Sequence, residues 1–297
     1  MHIKRFFGLV KKAVKAWMDD YAASMGAAIA FYTVFSLAPL LLIVIAIAGF
    51  FWGREAVQGQ LFDQIGGLVG PDGAKAVEGV VQGAQEPEQG IVATIVSLVV
   101  LAIGATTVFA ELQSALDRIW KVPERQKPSG IWGMIRARLL SFGLVLALAF
   151  LLLVSLVVSA VLGAFGAWAA GLLPAWEILL QVLNVVVALV IMTALFGMIY
   201  RFMPSASVAW RDVWTGAFVT AVLFEIGKFL IGLYLGKASV ASSYAAAGSL
   251  VVVLIWVYYA AQVFLLGAEF TWVYANEHGS HSQRGGLSRA QVRPVSG

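Results

Sequence analysis

The stretch VWTGAFVTAVLFEIGKFLIGLYL, residues 213–235, decides the fold of this chain. It is apolar almost throughout, yet it carries Glu225 and Lys228 three residues apart near its centre. About 20 predominantly apolar residues are enough for a helix to cross a bilayer. A charge near the middle of such a helix costs about 3 kcal/mol on insertion scales, so it persists where it faces a protein interior or a water-filled cavity. The stretch therefore predicts a membrane-spanning helix with a polar site.

The composition of the whole chain agrees with a membrane protein. Of the 297 residues, 61% are hydrophobic and 12% are charged, whereas soluble domains carry roughly 25% charged residues. We predict an all-α polytopic membrane protein, a six-transmembrane-helix bundle built from one domain, residues 1–275, with a disordered cytoplasmic tail at 276–297. The six predicted spans are residues 28–52, 91–110, 139–165, 178–200, 213–235 and 245–274.

Positive charges are distributed unevenly between the segments that join the spans. Of the 20 lysines and arginines, 16 fall on the side of the two termini, three fall on the opposite side, and Lys228 lies within a span. The positive-inside rule then places both termini in the cytoplasm. The first apolar run is too long for the hydrophobic region of a signal peptide, so we expect no cleaved signal.

Two connecting segments show amphipathic patterns. In the extracytoplasmic loop 54–90, apolar residues recur at helical spacing before and after the turn GPDG, residues 70–73, which predicts two short amphipathic helices. These helices would lie on the outer surface or cap the bundle; alternatively, the segment is a plain connector packed against the span ends. The cytoplasmic loop 111–138 is predicted to contain short helices at 113–120 and 131–139.

The candidate functional residues begin with the charged pair in the fifth span. Glu225 and Lys228 are three residues apart, so both side chains lie on one face of the helix. One interpretation is a mutually neutralising pair buried between helices, which contributes little net stability because desolvation offsets the attraction. The other is a titrating site, or an anchor for a polar group of a substrate. The sequence leaves both interpretations open.

Further polar residues in the sixth span extend this candidate pathway. Tyr258, Gln262 and Glu269 are spaced by four and seven residues, so they form one polar stripe on the helix. Glu269 follows apolar residues near the cytoplasmic end of the span. It either belongs to the pathway or accepts hydrogen bonds from a neighbouring element and fixes the packing.

The first span contributes two more polar positions. Tyr32 and Ser36 share a face one turn apart, and Pro39 removes a backbone donor, which predicts a helix kink. A kinked, polar half of a span suits the wall of a cavity because its freed backbone groups need partners. An ordinary proline kink in a packed helix is the alternative. The small residues at 22, 26 and 30 permit a close approach of another helix.

Several classes of function lack the residues they require. The chain contains no cysteine, and its three histidines lie near the termini, so we expect no metal and no cofactor. We find no phosphate-binding glycine motif and no nucleophile elbow, and therefore predict no enzyme activity. The net charge of +4 follows from the positive-inside pattern and needs no nucleic-acid partner.

Five motifs stand out along the chain: AAIAFYTVFSLAPL at 27–40, LDRIW at 116–120, FEIGK at 224–228, YAAAG at 244–248 and GAE at 267–269. With these motifs the sequence resembles the YihY/BrkB family of bacterial inner-membrane proteins, over about residues 10 to 275. One departure is that the family often has Tyr-Gly where this chain has Tyr244-Ala245, with the glycine delayed to Gly248.

The resemblance implies a six-spanning protein of the bacterial inner (cytoplasmic) membrane. Members of the family have been linked to virulence, serum resistance and export of envelope lipids. An older label, ribonuclease BN, is generally regarded as mistaken, and the histidines and carboxylates of this sequence are not arranged as the metal-binding or acid–base residues that a nuclease needs.

We therefore expect a transporter or lipid-translocating protein of the cell envelope with a polar intramembrane cavity. Its partners would be membrane lipids, a lipid or anionic solute as substrate, and a second copy of the chain in a homo-oligomer. The alternative is a non-transporting membrane scaffold or envelope-assembly factor, and a ribonuclease is the least favoured class. Substrate, direction and energy coupling are not encoded in any recognisable pattern.

Overall fold

The computed structural model describes residues 3–85, 107–123, 176–237 and 245–280 of the chain. Every regular element in these ranges is an α-helix, and no β-strand occurs in them. In chain order the helices are α1 (Ile3–Asp19), α2 (Ala22–Trp52), α3 (Arg54–Gln85), α4 (107–119), α5 (Trp176–Phe202), α6 (Trp210–Lys237) and α7 (Ala245–Glu277).

Four of the six predicted spans coincide with described helices, namely α2, α5, α6 and α7. Within the described residues two stretches are long and apolar enough to cross a membrane, Val182–Phe202 of α5 and Val251–Glu277 of α7. The predicted span 139–165 and the stretch 131–139 lie outside the described residues, as does most of the span 91–110. The all-helical class is therefore confirmed, and the six-span bundle stays a prediction.

The chain divides into two compact units that are described separately. Unit 1 comprises residues 1–20, 116–223 and 264–297. Its apolar core joins α1 to the end of α7, since Leu9 and Ala13 pack against Phe270 and Val273. An ion pair between Lys12 and Glu277 spans the edge of this contact. The C-terminal part of α7 is thus held by the N-terminal helix.

Unit 2 comprises residues 21–115 and 224–263. In its core, Leu41 and Ile45 of α2 are packed against Val77 and Val81 of α3, together with Val253 of α7. The earlier part of α3 also packs on this cluster through Val57, Leu61, Phe62 and Ile65. Both parts of α3 therefore cover the same face of α2.

This double contact requires α3 to bend sharply. A methyl group at Gly66 would lie 3.6 Å from Cβ of Ala74, whereas eight residues of straight helix rise about 12 Å. The chain therefore turns back between these residues, next to Pro71, which lacks a backbone N–H. The segment predicted as two helices separated by a turn is therefore one helical element, Arg54–Gln85, that bends between Gly66 and Ala74.

The boundaries of α2 also differ from the prediction. The helix begins at Ala22 and runs without interruption through Pro39 to Trp52. It ends at Gly53, whose φ of 84° is a conformation that glycine adopts at little cost. The proline therefore does not end the helix, and the kink at Pro39 remains a prediction.

Two terminal segments are more ordered than the sequence indicated. Helix α1 is an amphipathic element that was not predicted, because its apolar residues are interrupted by lysines. At the other end, α7 continues to Glu277 and a turn follows as far as Ser280. Residues 276–280, predicted to belong to a disordered tail, are therefore helix and turn, and the rest of that predicted tail lies outside the described residues.

Candidate functional site

The charged pair of α6 lies in unit 2 and forms a direct ion pair. Nζ of Lys228 is 2.6 Å from Oε2 of Glu225. The two side chains are 37% and 29% exposed, respectively. The pair is therefore neither sealed between helices nor fully at the surface.

The ion pair lies beside the contact between α6 and α7. The Phe224 ring is 5.3 Å from that of Trp256, which in turn stacks on Tyr259 at 5.9 Å. A methyl group at Gly227 would overlap the Tyr259 hydroxyl, so only glycine permits this close approach. Helical spacing places the charges next to this packed face. The aromatic contact thereby fixes the position of the helix turn that carries the charges.

The Gln262 side chain packs against α2 at Gly26, where α2 has no side chain. Its Nε2 donates a hydrogen bond to the carbonyl oxygen of Ala23 at 3.3 Å. A methyl group at Gly26 would lie 2.9 Å from Cδ of Gln262. Ala22 and Ala30 on the same side of α2 are buried. The close approach predicted from these small residues is therefore confirmed, and a polar side chain fills it.

The remaining predicted residues of unit 2 have different environments. Tyr258 and Tyr32 are both about one-third exposed, whereas Ser36 is buried. The Tyr32 ring meets Phe31 edge-on at 5.5 Å. Of the predicted residues in unit 2, Glu225 therefore pairs with Lys228, and Gln262 bonds to α2. Tyr32 and Ser36 lie one turn apart but differ in exposure.

Glu269 belongs to unit 1 and is completely buried. Within the described part of the chain, neither of its carboxylate oxygens meets a hydrogen-bond donor. The charged groups that act on it are the carboxylates of Asp20 and Asp19 and the ammonium group of Lys121. The polar stripe predicted along α7 therefore divides between two units, and Glu269 has its own set of neighbours.

Lys121 is the cation among the charged groups around Glu269. Its Nζ contacts both carboxylate oxygens of Asp20 and lies 5.7 Å from the centre of the Trp272 ring. This ring is one turn from Glu269 on α7. The carboxylates of Asp19, Asp20 and Glu269 and the ammonium group of Lys121 therefore form one cluster beside the C-terminal part of α7, with the ammonium half exposed and Glu269 shielded from solvent.

The backbone at Lys121 is unusual. The N–H of Val122 bonds to the carbonyl of Asp117 and that of Lys121 to Arg118, which is the Schellman arrangement at the end of a helix. The left-handed position of this motif usually carries glycine, yet here it carries Lys121 at φ 52°. Among the described residues the other non-glycine residue with positive φ is Tyr21, which follows Asp20. Both strained positions therefore adjoin the ion pair.

A layer of hydroxyl groups holds α5, α6 and α7 together in unit 1. The Tyr200 hydroxyl donates to the carbonyl oxygen of Phe264 at 2.7 Å and lies 3.0 Å from Oγ1 of Thr220. Thr220 also bonds to the Gly216 carbonyl at 2.8 Å. Both hydroxyl groups and their backbone acceptors lie within apolar helices, and in a membrane unsatisfied polar groups there would be costly. This layer positions the part of α7 from which Glu269 projects.

Two aspartates clamp loops onto helix ends in unit 1. Asp117 accepts hydrogen bonds from the backbone N–H of Ser205 at 2.6 Å and from its hydroxyl at 2.9 Å. Asp212 accepts from the N–H and hydroxyl of Ser280 at 3.1 and 2.6 Å. The buried Asp117 belongs to the motif at 116–120, so a structural clamp explains its presence there.

Four partners in polar sites were not predicted from the sequence, namely Asp20, Lys121, Tyr200 and Thr220. Tyr200 and Thr220 carried a usable signal, since each is a hydroxyl within an apolar run. Asp20 and Lys121 gave no such signal in the sequence, because their contact is between residues that are far apart along the chain.

The chemistry available to these sites is charge pairing and hydrogen bonding. No group of three His, Asp or Glu side chains suited to a metal ion occurs in the ranges that the structure describes. The fold and the sites together define an all-helical membrane protein with charged side chains in or next to its apolar helices.

The chain belongs to the BrkB family, because the family model described as virulence factor BrkB matches residues 13–291. A UPF0761 membrane protein of Ralstonia nicotianae is 30% identical over 275 residues, which is 90% of this chain and 58% of that relative. One from Stenotrophomonas maltophilia is 28% identical over 268 residues, 86% of this chain and 58% of its own. One from Neisseria meningitidis serogroup B is 26% identical over 284 residues, 95% of this chain and 67% of its own.

The resemblance predicted from the motifs is thereby confirmed, as is a membrane location. The chain spans somewhat less than three-fifths of the length of the Ralstonia and Stenotrophomonas relatives. Neither the family description nor the names of these relatives attach an enzymatic activity. No solved structure matches the chain.

Proposed function

We propose that the protein moves a polar or amphipathic molecule across the bacterial inner membrane, and that the ion pair of Glu225 and Lys228 lies on the path. The observation that supports this is the exposure of the pair, 29% and 37% of the two side chains, in the middle of an apolar helix. In this proposal the chain has six spans and both termini lie in the cytoplasm.

The physical argument rests on the cost of charge in hydrocarbon. A charge at the centre of a membrane helix costs about 3 kcal/mol even on insertion scales, and such residues face cavities or other proteins. The exposed third of this pair therefore favours contact with water or with a polar part of a substrate over contact with acyl chains. A pathway for a polar molecule provides that environment.

The substrate would carry an anionic group. Lys228 is the cation that can bind a phosphate or carboxylate, and Glu225 holds its ammonium group while no substrate is bound. Exchange of the Glu225 carboxylate for the anionic group of a substrate keeps the ammonium paired throughout. A lipid headgroup and a soluble anion share this chemistry. Gln262 and Tyr258, also in unit 2, would supply further hydrogen-bonding groups.

The test uses reconstituted vesicles that contain the wild-type protein, Lys228→Met, Glu225→Gln or the control Ile226→Leu. Ile226 is half exposed on the same turn, so the control changes shape without changing charge. One arm measures scrambling of a fluorescent anionic phospholipid and the other measures uptake of a soluble organic anion. If Lys228→Met loses either lipid scrambling or anion uptake while Ile226→Leu retains normal activity, the proposal is supported. The assay in which activity is lost then shows whether the transported anion is a lipid headgroup or a soluble anion. A wild-type protein that is active in either arm, with both charge variants unchanged, overturns it.

A non-transporting scaffold of the cell envelope is the second candidate. The 2.6 Å contact between the two charges favours it, because the pair is satisfied without a ligand. A scaffold predicts that the wild-type protein is inactive in both arms, whatever the stability of the charge variants.

A further inference from the structure

Helix α1 presents two separate apolar strips, and only one of them is covered by protein. The inner strip contains Leu9 and Ala13, which are 2% and 1% exposed and pack against Phe270 and Val273 of α7. The outer strip contains Phe7, Val14 and Met18, which are 69%, 38% and 57% exposed. Their spacing of seven and four places these three side chains on one side of the helix.

Basic side chains border the outer strip. On a helical projection at 100° per residue, Lys11 and Lys15 lie next to the line through Phe7, Val14 and Met18. Both lysines are exposed. An apolar strip bordered by lysines is the pattern of a helix that lies in the membrane interface with its charges at the level of the headgroups.

The length and composition of α1 agree with this position. The helix has 17 residues, five of them Lys or Arg, so it is too short and too polar to span a bilayer. Its inner strip and the Lys12–Glu277 ion pair fix it against the end of α7, which is apolar enough to span a membrane. Because the chain is a membrane protein, a lipid surface is available to cover the outer strip.

We propose that the outer strip of α1 is a docking surface for anionic phospholipids of the bilayer in which the protein is embedded. Phe7, Val14 and Met18 insert between the acyl chains near the headgroups, and Lys11 and Lys15 bind headgroup phosphates. The charge complementarity with anionic lipid identifies the occupant, since a lysine near such a surface contributes to binding in proportion to the lipid's negative charge. This inference is independent of the transport proposal.

The absence of cysteine from the chain allows a direct test with single spin labels. Val14→Cys and Met18→Cys place the nitroxide on the outer strip, and Gly8→Cys places it on the polar side, where nothing lies within 4 Å. In vesicles rich in phosphatidylglycerol, we expect labels at 14 and 18 to collide with dissolved oxygen and to be protected from a water-soluble nickel chelate. The label at 8 should show the reverse. In phosphatidylcholine vesicles, or with Lys11→Gln and Lys15→Gln together, nickel accessibility at 14 and 18 should rise severalfold.

Two results would overturn the proposal. Equal nickel accessibility at positions 8, 14 and 18 in anionic vesicles would mean that the outer strip faces water. Dipolar broadening between singly labelled molecules, independent of lipid charge and lost on dilution with unlabelled protein, would mean that a second copy covers the strip. Thermal unfolding of each labelled protein verifies that α1 is still attached to α7.

Discussion

Thr220 of α6 occupies the space in which Gly267 of α7 would carry a side chain. A methyl group at Gly267 would lie 2.9 Å from Cβ of Thr220 and would overlap its hydroxyl. The relationship is reciprocal one turn away, where a methyl group at Gly216 of α6 would lie 2.8 Å from Cβ of Thr271 of α7. Each helix therefore offers a glycine to the other's threonine, four residues apart, and the two backbones approach closely.

Enlarging these glycines should destabilise the protein. For Gly216→Ala and Gly267→Ala we expect a loss of about 1–3 kcal/mol, since the neighbouring backbone and a bonded threonine must move. Gly59→Ala is the matched control, because this helical glycine of α3 has nothing within 4 Å of an added methyl group. Its stability should be unchanged or higher by up to about 1 kcal/mol. Midpoints of thermal unfolding in detergent measure these differences, and equal midpoints for all three variants would contradict the prediction.

The charges around Glu269 should show coupled effects. Lys121→Met removes the cation that binds Asp20 and that faces Glu269, and we expect it to cost about 1 kcal/mol. Adding Glu269→Gln should restore stability, because the amide removes a carboxylate and can donate a hydrogen bond to Asp20. A double-mutant cycle on the unfolding free energy measures this coupling. Strict additivity of the two substitutions would show that the cluster is not an electrostatic unit.

The clamp between α4 and the loop after α5 should depend mainly on Asp117. Asp117→Ala leaves the Ser205 N–H and hydroxyl without their acceptor, and we expect a cost of about 1–3 kcal/mol. Ser205→Ala removes only the hydroxyl bond and should cost about 1 kcal/mol or less. Thermal unfolding compares the two variants. A larger effect for Ser205→Ala would mean that the hydroxyl, and not the backbone bond, carries the clamp.

The ion pair of α6 offers a stability test that is separate from transport. Lys228→Met alone leaves the Glu225 carboxylate unpaired, and since this side chain is 29% exposed we expect a cost below the roughly 3 kcal/mol of a charge at the centre of a membrane helix. The double variant Glu225→Gln with Lys228→Met removes both charges and should be more stable than the single variant. Yield from membranes and the unfolding midpoint in detergent provide the comparison. A double variant less stable than Lys228→Met would indicate that Glu225 has a second partner.

The main helices could be predicted because long apolar runs specify membrane helices without reference to the rest of the chain. The position of Glu225 and Lys228 on one face followed from their spacing. The partners of Glu269 could not be predicted in this way. Asp20 and Lys121 belong to segments far away in the sequence, and the spacing of residues within one helix contains no information about contacts with other segments. Helix α1 was missed for a different reason: its apolar positions repeat at helical spacing, but a search for continuous apolar runs passes over such a pattern.

The left-handed turn at Lys121 links a charge contact to the direction of the chain. A non-glycine residue in this conformation costs roughly 1–2 kcal/mol, and the side chain that stands there binds Asp20, which lies 101 residues earlier. The path that the backbone takes on leaving α4 is therefore stabilised by an electrostatic partner outside its own segment. Replacement of Asp20 by Asn would weaken the contact that holds the turn, so the conformation of residues 120–123 would depend on a side chain at the end of α1.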